Sequence, residues 1–230
     1  MKRVGIIGGL GPESTVEYYQ TFIKKFQNKM NSNKVLPELF INSINMYNIF
    51  RFIDENKMTD LIDYVGQAAQ KLEEIGADVV VISANTPHIV FADVQNKVNV
   101  PMISIVEATY EKAVEQGMKK VGLLGTKFTM EHDFFKKPFL ANEKEVIVPN
   151  EQDQMFIHEK IVEELENGIV KQETKEAFLR VINTMMEEEN IDGLILGCTE
   201  LPMILNDQDV TLPLLNTTEI HIDTMIEHVF

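Results

Sequence analysis

Cysteine is nearly absent from this chain, since only Cys198 among its 230 residues is a cysteine. A single thiol excludes an internal disulfide framework and a cysteine-rich zinc site. No apolar stretch approaches the roughly 20 residues that a membrane-spanning helix needs. The N-terminal segment begins as a strand and lacks a long apolar signal core with a small-residue cleavage site. We therefore expect a cytoplasmic protein with no membrane partner.

Basic residues are scarce as well. The chain has 21 Lys and Arg against 36 Asp and Glu, which gives a net charge of −15 and a pI near 4.7. A surface this acidic repels phosphate backbones, so we expect no nucleic-acid partner. The length exceeds the roughly 100–150 residues of a typical domain and predicts one large or two small domains.

Short apolar runs alternate with amphipathic stretches along the whole chain. The apolar runs predict strands over Val4–Ile7, Leu39–Ile44, Asp78–Ile82, Pro101–Ile105, Lys120–Leu124, Val146–Val148, Gly193–Leu196 and Leu212–Leu215. The amphipathic stretches predict a helix from Pro12 with Tyr18, Tyr19, Phe22, Ile23 and Phe26 on one side, and helices over Asp60–Glu74, Glu107–Gln116, Asp153–Asn167, Thr174–Glu188 and Glu219–Val229. Strands that alternate with helices indicate an α/β fold with a parallel sheet.

Three strand segments recur in the same order, which indicates two similar α/β halves related by duplication. The pairs are Val4–Gly9 with Val121–Thr126, Asp78–Asn85 with Asp192–Thr199, and Val100–Ile103 with Leu212–Leu215. We assign residues 1–98 plus 211–230 to an N-terminal lobe and residues 99–210 to a C-terminal lobe. Ligands of α/β folds bind at the carboxyl ends of strands, so we expect the site in a cleft between the lobes.

The repeat pairs Ala84 with Cys198, in the segments Ser83–Thr86 and Gly197–Glu200. Each segment lies where a strand leads toward a helix N-terminus, whose free N–H groups favour carboxylates and thiolates. Such a place lowers a cysteine pKa toward ~7 or below, so that the thiolate acts as a base or a nucleophile. The alternative is that Cys198 is a small buried hydrophobe.

Several polar side chains stand at the same strand ends. Asn85, Thr86 and Thr199 are candidates both for capping the following helices and for holding a ligand carboxylate. Thr126 follows another strand end and is a candidate ligand contact. Arg51 is a candidate partner for a carboxylate, or a solvated loop residue.

The loop Gly8–Thr15 is rich in glycine and precedes a helix. Its glycines lack the Gly-x-Gly-x-x-Gly spacing of dinucleotide sites, and it has no P-loop lysine. Close approach to a small anionic ligand fits the loop better. His88 is a candidate general acid or base, or else structural. The other four histidines lack convincing metal-ligand spacing, so we expect no metal.

At this point the chain resembles the aspartate/glutamate racemase family over essentially its whole length. The resemblance is carried by Gly8–Thr15, Ala84–His88, Leu124–Met130 and above all Gly197–Glu200. It implies two Rossmann-like lobes related by a pseudo-twofold, a homodimer, and chemistry without PLP or any other cofactor. It also implies a small amino-acid or dicarboxylate substrate, with contacts from Leu10, Arg51, Ala84, Asn85, Thr86, Thr126, Thr199 and Glu200.

The resemblance further implies two cysteines, one per lobe, on opposite faces of the substrate α-carbon. One thiolate removes the α-proton and the other thiol returns it. Here Ala84 replaces the first of these cysteines, and alanine cannot exchange a proton. Ser83, Thr86, His88 or a bound water are the candidates for the second proton. No basic residue that would anchor the substrate is evident around Glu166–Gly168.

Three functions follow from these observations. The first is an amino-acid racemase for aspartate, glutamate or a related substrate, with Cys198 as the main acid and base. The second is another one-cysteine enzyme, in which the thiol protonates a planar intermediate, as in arylmalonate decarboxylases, or attacks a double bond, as in maleate isomerases. The third is a non-catalytic binder of dicarboxylates or amino acids.

Overall fold

The computed structural model describes residues 1–230, which form two compact lobes. The first lobe contains residues 1–105 and 218–230, and the second contains residues 106–217. The chain therefore crosses between lobes at 105/106 and 217/218, where the sequence-based division stands at 98/99 and 210/211. Each lobe has its own four-stranded sheet in which every pair of strands is parallel, so the predicted α/β fold class is confirmed.

The first lobe begins with a buried strand and a long helix. Its elements are β1 (Val4–Gly8), α1 (Pro12–Met30), β2 (Leu39–Ser43), α2 (Met46–Asp54), α3 (Met58–Glu74), β3 (Val79–Ile82), a 3₁₀ helix (Thr86–Val90), α4 (Phe91–Gln95) and β4 (Met102–Ile103). The strand order is β2-β1-β3-β4. Strand β2 lies on one side of β1 and strand β3 lies on the other. The loops after β1 and β3 therefore lie side by side at the carboxyl edge of the sheet.

The second lobe repeats this topology. Its elements are α5 (Ile105–Glu115), β5 (Lys120–Leu124), α6 (Lys127–Glu131), α7 (Lys137–Leu140), β6 (Glu145–Ile147), α8 (Glu151–Glu163), a 3₁₀ helix (Leu165–Asn167), α9 (Gln172–Glu189), β7 (Gly193–Leu196), a 3₁₀ helix (Leu201–Met203) and β8 (Leu214–Asn216). The order β6-β5-β7-β8 matches that of the first sheet strand for strand. Helix α10 (Thr217–Val229) then returns the chain to the first lobe.

The central strands are buried on both faces, which explains their continuous apolar runs. In β1, Ile6 packs into a cluster with Tyr18 and Phe22 of α1, while its neighbour Ile7 packs into a second cluster with Leu61 of α3. Successive side chains of a strand point to opposite faces, so one short strand supplies both layers of the core.

Two predicted features of the first lobe are wrong in detail. Tyr19 was placed on the core side of the first helix, but it is 43% exposed because Tyr18, Phe22 and Phe26 already occupy the buried face at a spacing of four. The strand predicted over Pro101–Ile105 is reduced to Met102–Ile103, since helix α5 already begins at Ile105.

Other helix ends also differ from the predictions. Helix α2 was not predicted, and it carries Arg51 on a helix rather than in a loop. The helix predicted over Asp153–Asn167 instead ends at Glu163, where the backbone turns into a 3₁₀ helix. No helix is both long enough and apolar enough to cross a membrane.

Candidate active site

Ala84 and Cys198 occupy equivalent positions in the two sheets. Strand β3 ends at Ile82 and β7 ends at Leu196, so each residue is the second after its strand. Both strands pair with the first strand of their lobe in the same parallel manner. The pairing of Ala84 with Cys198 inferred from the sequence repeat therefore agrees with the topology of each lobe.

The Cys198 thiol donates a hydrogen bond to the Glu200 carboxylate, with Sγ 2.8 Å from Oε2. The side chain is half-buried and packs against the apolar core of the second lobe. Burial and the nearby negative charge of Glu200 both disfavour the thiolate, so they raise the thiol pKa well above its usual value. The prediction of a lowered pKa for Cys198 is therefore wrong.

The expected helix N-terminus beside Cys198 is only a 3₁₀ turn. Leu201–Met203 contains three residues and Thr86–Val90 contains five, and neither receives a capping hydrogen bond from a side chain. A helix this short carries few aligned peptide dipoles, so it offers little positive potential to a thiolate. This is the second reason that the thiol stays neutral.

The loop after β3 carries three of the predicted ligand contacts. Ala84 is followed by Asn85, which is buried at 6% exposure, and by Thr86, which starts the 3₁₀ helix. Asn85 precedes this helix in a helical backbone conformation, and its side chain makes no capping hydrogen bond. The residue before the Leu201–Met203 helix is Glu200 rather than Thr199. The predicted capping roles of Asn85, Thr86 and Thr199 are therefore wrong, while their roles as ligand contacts stay predictions.

In the second lobe, Thr126 does cap a helix. Its hydroxyl accepts a hydrogen bond from the backbone N–H of Thr129 at the start of α6. Thr126, Cys198, Thr199 and Glu200 all follow the adjacent strands β5 and β7, so they share one edge of this sheet. A carboxylate, two hydroxyls and a thiol thus lie at the carboxyl edge, where α/β folds bind ligands.

The conformation of the glycine-rich loop after β1 is fixed by contacts with other residues of the first lobe. Gly9 has a φ of 74°, and a Cβ there would collide with the carbonyl oxygen of Ile44. The Gly9 N–H donates to the hydroxyl of Thr15 at 2.8 Å. Leu10, a predicted ligand contact in this loop, packs partly buried against the core. Contacts within the lobe therefore require glycine at position 9.

Ser83 and His88, two candidates for the second proton, are both hydrogen-bonded to backbone groups. The Ser83 hydroxyl donates to the carbonyl of Ile7 at 3.1 Å and is fully buried. The two ring nitrogens of His88 lie 2.8 Å from the carbonyl of Ala84 and 3.1 Å from the N–H of Ile105. Burial, with a contribution from His221, lowers the His88 pKa to about 3. These contacts and the low pKa of His88 disfavour both groups as the second acid, and that role stays a prediction.

Arg51 lies on the exposed side of α2. Its guanidinium stacks over the ring of Phe52 at 5.0 Å, and Nη2 lies 3.4 Å from Oδ1 of Asn48. Neither partner is a carboxylate, but the charge of Arg51 also acts on Glu55, whose pKa is lowered mainly by its hydrogen bond with Lys57 and in part by Arg51. No group of three or more His, Cys, Asp and Glu side chains is arranged to hold a metal ion.

Sequence reasoning missed two buried polar networks. The Tyr18 hydroxyl lies 2.8 Å from Nδ1 of His221, and Nε2 of His221 lies 3.0 Å from the carbonyl of Ile103. In the second lobe, the carboxylate of Glu164 accepts hydrogen bonds from Lys160, Lys171 and Thr174. Helical spacing gave a signal for His221, because it lies four residues before the buried Met225. Nothing in the sequence pattern marks Glu164 as buried.

The comparisons with known proteins agree with this architecture. The family model for Asp/Glu/Hydantoin racemase matches residues 7–225. This chain belongs to the Asp/Glu/hydantoin racemase family. It is 41% identical to an aspartate racemase homologue from Pyrococcus horikoshii OT3, with a TM-score of 0.87 over 99% of both chains. It is 27% identical to the broad specificity amino-acid racemase RacX of Bacillus subtilis over 94% of this chain and 92% of the relative.

The racemase fold also extends to more distant members of the family. The Picrophilus torridus aspartate racemase superposes with a TM-score of 0.77 over 99% of this chain and 94% of that chain, although the two are only 21% identical. The named racemases act on different amino acids, so membership of the family leaves the side chain of the substrate open.

Proposed function

We propose that this protein is a cofactor-independent amino-acid racemase for aspartate, glutamate or a related substrate, with Cys198 as its main acid and base. One observation carries the proposal. In a chain of this family, the only thiol lies at the carboxyl edge of β7 and is hydrogen-bonded to a carboxylate, Glu200. A thiol and a carboxylate in contact form a pair that can pass a proton.

The raised pKa of Cys198 sets the order of proton transfers. The resting thiol gives its proton to Glu200, and the resulting thiolate removes the α-proton of the substrate. Return of a proton by the same thiol restores the starting enantiomer, and Glu200 then gives its proton back to the Cys198 thiolate. In inversion, a second donor protonates the opposite face, Cys198 keeps the substrate proton, and the proton on Glu200 passes through solvent to that donor. The ammonium group of a bound amino acid brings a positive charge that lowers the thiol pKa.

Ala84 makes this chemistry one-sided. The equivalent position of the other sheet has no proton donor in its side chain, and the hydroxyl of Ser83 and the ring of His88 are held by backbone groups. Thr86 or a bound water is left to protonate the second face. We therefore propose that exchange of the α-proton with solvent is faster than inversion.

The remaining predicted residues are proposed as substrate contacts. Leu10, Ala84, Asn85 and Thr86 follow strands of the first sheet, and Thr126, Thr199 and Glu200 follow strands of the second. Arg51 supplies a guanidinium for a substrate carboxylate. A homodimer is proposed on the resemblance alone and is tested by analytical ultracentrifugation. The cytoplasmic location stays a prediction from the sequence.

The neutral thiol favours a second candidate, a decarboxylase-type enzyme in which Cys198 protonates a planar intermediate from one face. That reaction needs a thiol and no second cysteine, so both the raised pKa and Ala84 suit it. The maleate-isomerase alternative needs a thiolate nucleophile, which the Glu200 charge disfavours.

Proton NMR of both enantiomers of aspartate and glutamate in D₂O tests the proposal, with chiral chromatography of the same samples. We expect loss of the α-proton signal with slower appearance of the opposite enantiomer. Cys198→Ser should abolish exchange. Ala84→Cys should speed inversion, while Val114→Cys, which adds a thiol at an exposed position, should not. Exchange that survives Cys198→Ser would overturn the assignment, and no exchange with a wide panel of amino acids would favour the decarboxylase.

A further inference from the structure

His88 is held in a single orientation by two backbone groups. It lies in the 3₁₀ helix Thr86–Val90, is only 5% exposed, and stacks on the ring of Phe91 with a centroid separation of 5.2 Å. A carbonyl oxygen only accepts, so Nδ1 must carry the hydrogen that is donated to Ala84. The Ile105 N–H only donates, so Nε2 must be unprotonated. Both bonds form only with the neutral Nδ1–H tautomer.

The first three carbonyls after β3, those of Ser83, Ala84 and Asn85, each accept a hydrogen bond. The Ser14 hydroxyl donates to the carbonyl of Ser83 at 2.8 Å, and the backbone N–H of His88 donates to that of Asn85 at 2.9 Å. Between them, the imidazole of His88 holds the carbonyl of Ala84. Three successive peptide groups are thereby fixed at the position where the equivalent segment of the second lobe carries Cys198.

The other nitrogen of His88 bonds to the end of the first lobe. Ile105 is the last residue of this lobe before the chain enters the second. A single imidazole therefore links the predicted ligand loop, Ala84–Thr86, to the segment that leaves the lobe. Loss of either hydrogen bond removes one of the two contacts that orient the ring.

We propose that His88 is a positioning residue of the racemase site, which fixes the Ala84–Thr86 loop through the carbonyl of Ala84 and ties it to Ile105. This inference rests on the proposed function, because the loop is there assigned to the substrate. His88 itself neither donates nor accepts a proton in the reaction. It acts by holding the loop in the conformation that binds substrate.

Two substitutions test the two hydrogen bonds of the His88 ring one at a time. The short amide of His88→Asn reaches the place of Nδ1 and keeps a donor for Ala84, whereas the longer amide of His88→Gln reaches the place of Nε2 and keeps an acceptor for Ile105. His221→Gln is the control for a change in packing beside His88. The two rings lie edge to face with centroids 6.3 Å apart, but the hydrogen bonds of His221 go to Tyr18 and Ile103 rather than to the loop.

Rates of α-proton exchange test the inference on folded protein, as judged by circular dichroism. We expect kcat/KM to fall about tenfold or more in His88→Gln, and to stay within about threefold of the native value in His88→Asn and His221→Gln. A purely structural role predicts that all three variants lose stability and keep kcat/KM. Equal kcat/KM in the two His88 variants would overturn the inference.

Two further measurements do not depend on turnover. Hydrogen exchange of the 83–90 segment should be faster in His88→Gln than in His88→Asn, even if no amino acid proves to be a substrate. In native protein labelled with ¹⁵N-histidine, NMR should find His88 neutral with its hydrogen on Nδ1. The other tautomer, or equal hydrogen exchange in both variants, would refute the inference. Failure of the proposed function would instead show as an inactive native protein with these results intact.

Discussion

At the scale of single residues, the contact between Cys198 and Glu200 sets the protonation of the only thiol in the chain. The two residues are only two positions apart, yet neither propensity nor spacing predicts that the carboxylate accepts the thiol hydrogen. The sequence pattern assigned Glu200 to the substrate. The structure adds a second role, because a negative charge at hydrogen-bond distance keeps the thiol protonated.

Replacement of Glu200 by glutamine should separate thiol acidity from turnover. In Glu200→Gln the amide oxygen still accepts the S–H bond but carries no charge, so the pKa of Cys198 should fall. Turnover should fall about 100-fold, because the amide cannot take the thiol proton. The pH dependence of iodoacetamide alkylation measures the pKa directly, since the chain has no other cysteine.

The control for Glu200→Gln is Glu163→Gln, which removes an exposed carboxylate from α8. It should leave both alkylation and turnover unchanged. If alkylation in Glu200→Gln were no faster at neutral pH, then the charge of Glu200 would not be what keeps the Cys198 thiol protonated.

At the scale of elements, the turn that follows β1 contains two glycines with nearly equal positive φ angles. Gly9 has a φ of 74° and Gly11 a φ of 72°. A Cβ at Gly9 would overlap the carbonyl of Ile44, whereas a Cβ at Gly11 would meet only the Cβ of Ser14 at 3.8 Å. Both positions therefore have a positive φ, but only a Cβ at Gly9 would overlap another atom.

This difference gives a matched pair of substitutions. Gly11→Ala should lower the free energy of unfolding by about 1–3 kcal/mol, because φ 72° and ψ 127° form a sparsely populated conformation for a residue with a Cβ. Gly9→Ala should cost clearly more, because the backbone around Ile44 must also move. Urea denaturation of both variants measures the difference. Equal losses would mean that the contact with Ile44 relaxes without cost.

At the scale of the whole molecule, the two lobes share a topology but differ in their buried titratable groups. The first lobe contains His88 and His221, whose pKa values burial lowers to about 3 and about 4. The second contains Glu164, whose pKa falls to about 2 chiefly because Lys160 and Thr174 hydrogen-bond to the carboxylate. The two lobes should therefore respond to acid over different pH ranges.

Acid should weaken the first lobe before the second. Unfolded histidine binds a proton near pH 6.5, so the two neutral histidines stabilise the lobe fully above that pH. As the pH falls from 6.5 toward 4, each should cost about 1.4 kcal/mol per pH unit. Glu164 stabilises the second lobe above pH 4.5, and this contribution is lost only as the pH falls from 4.5 toward 2.

Hydrogen exchange at pH 7 and pH 5, corrected for intrinsic rates, checks this order. Protection of α1 and α10 should decrease more than that of α8 and α9. His221→Gln should reduce the pH dependence of the first lobe, while His228→Gln, at an exposed position of the same helix, should not. Equal losses in both lobes would contradict the assignment to the two histidines.

The sequence alone determined the α/β class, the duplicated lobes and the family, and it paired Ala84 with Cys198. These features can be recognised from short stretches of sequence, because buried strands are continuous apolar runs and a duplication repeats the same runs. It also located the strand ends that carry the proposed ligand contacts, because the end of a buried strand is visible in the sequence.

Only the tertiary structure decided what the side chains at those ends do. The exposure of Tyr19, the proton on Cys198 and the tautomer of His88 each depend on which groups the folded lobe brings into contact. Ile105 lies 17 residues from His88, and Ile103 lies 118 residues from His221. Hydrogen bonds and desolvation depend on such distant partners and on how the fold orients near neighbours such as Glu200, and a local pattern contains neither.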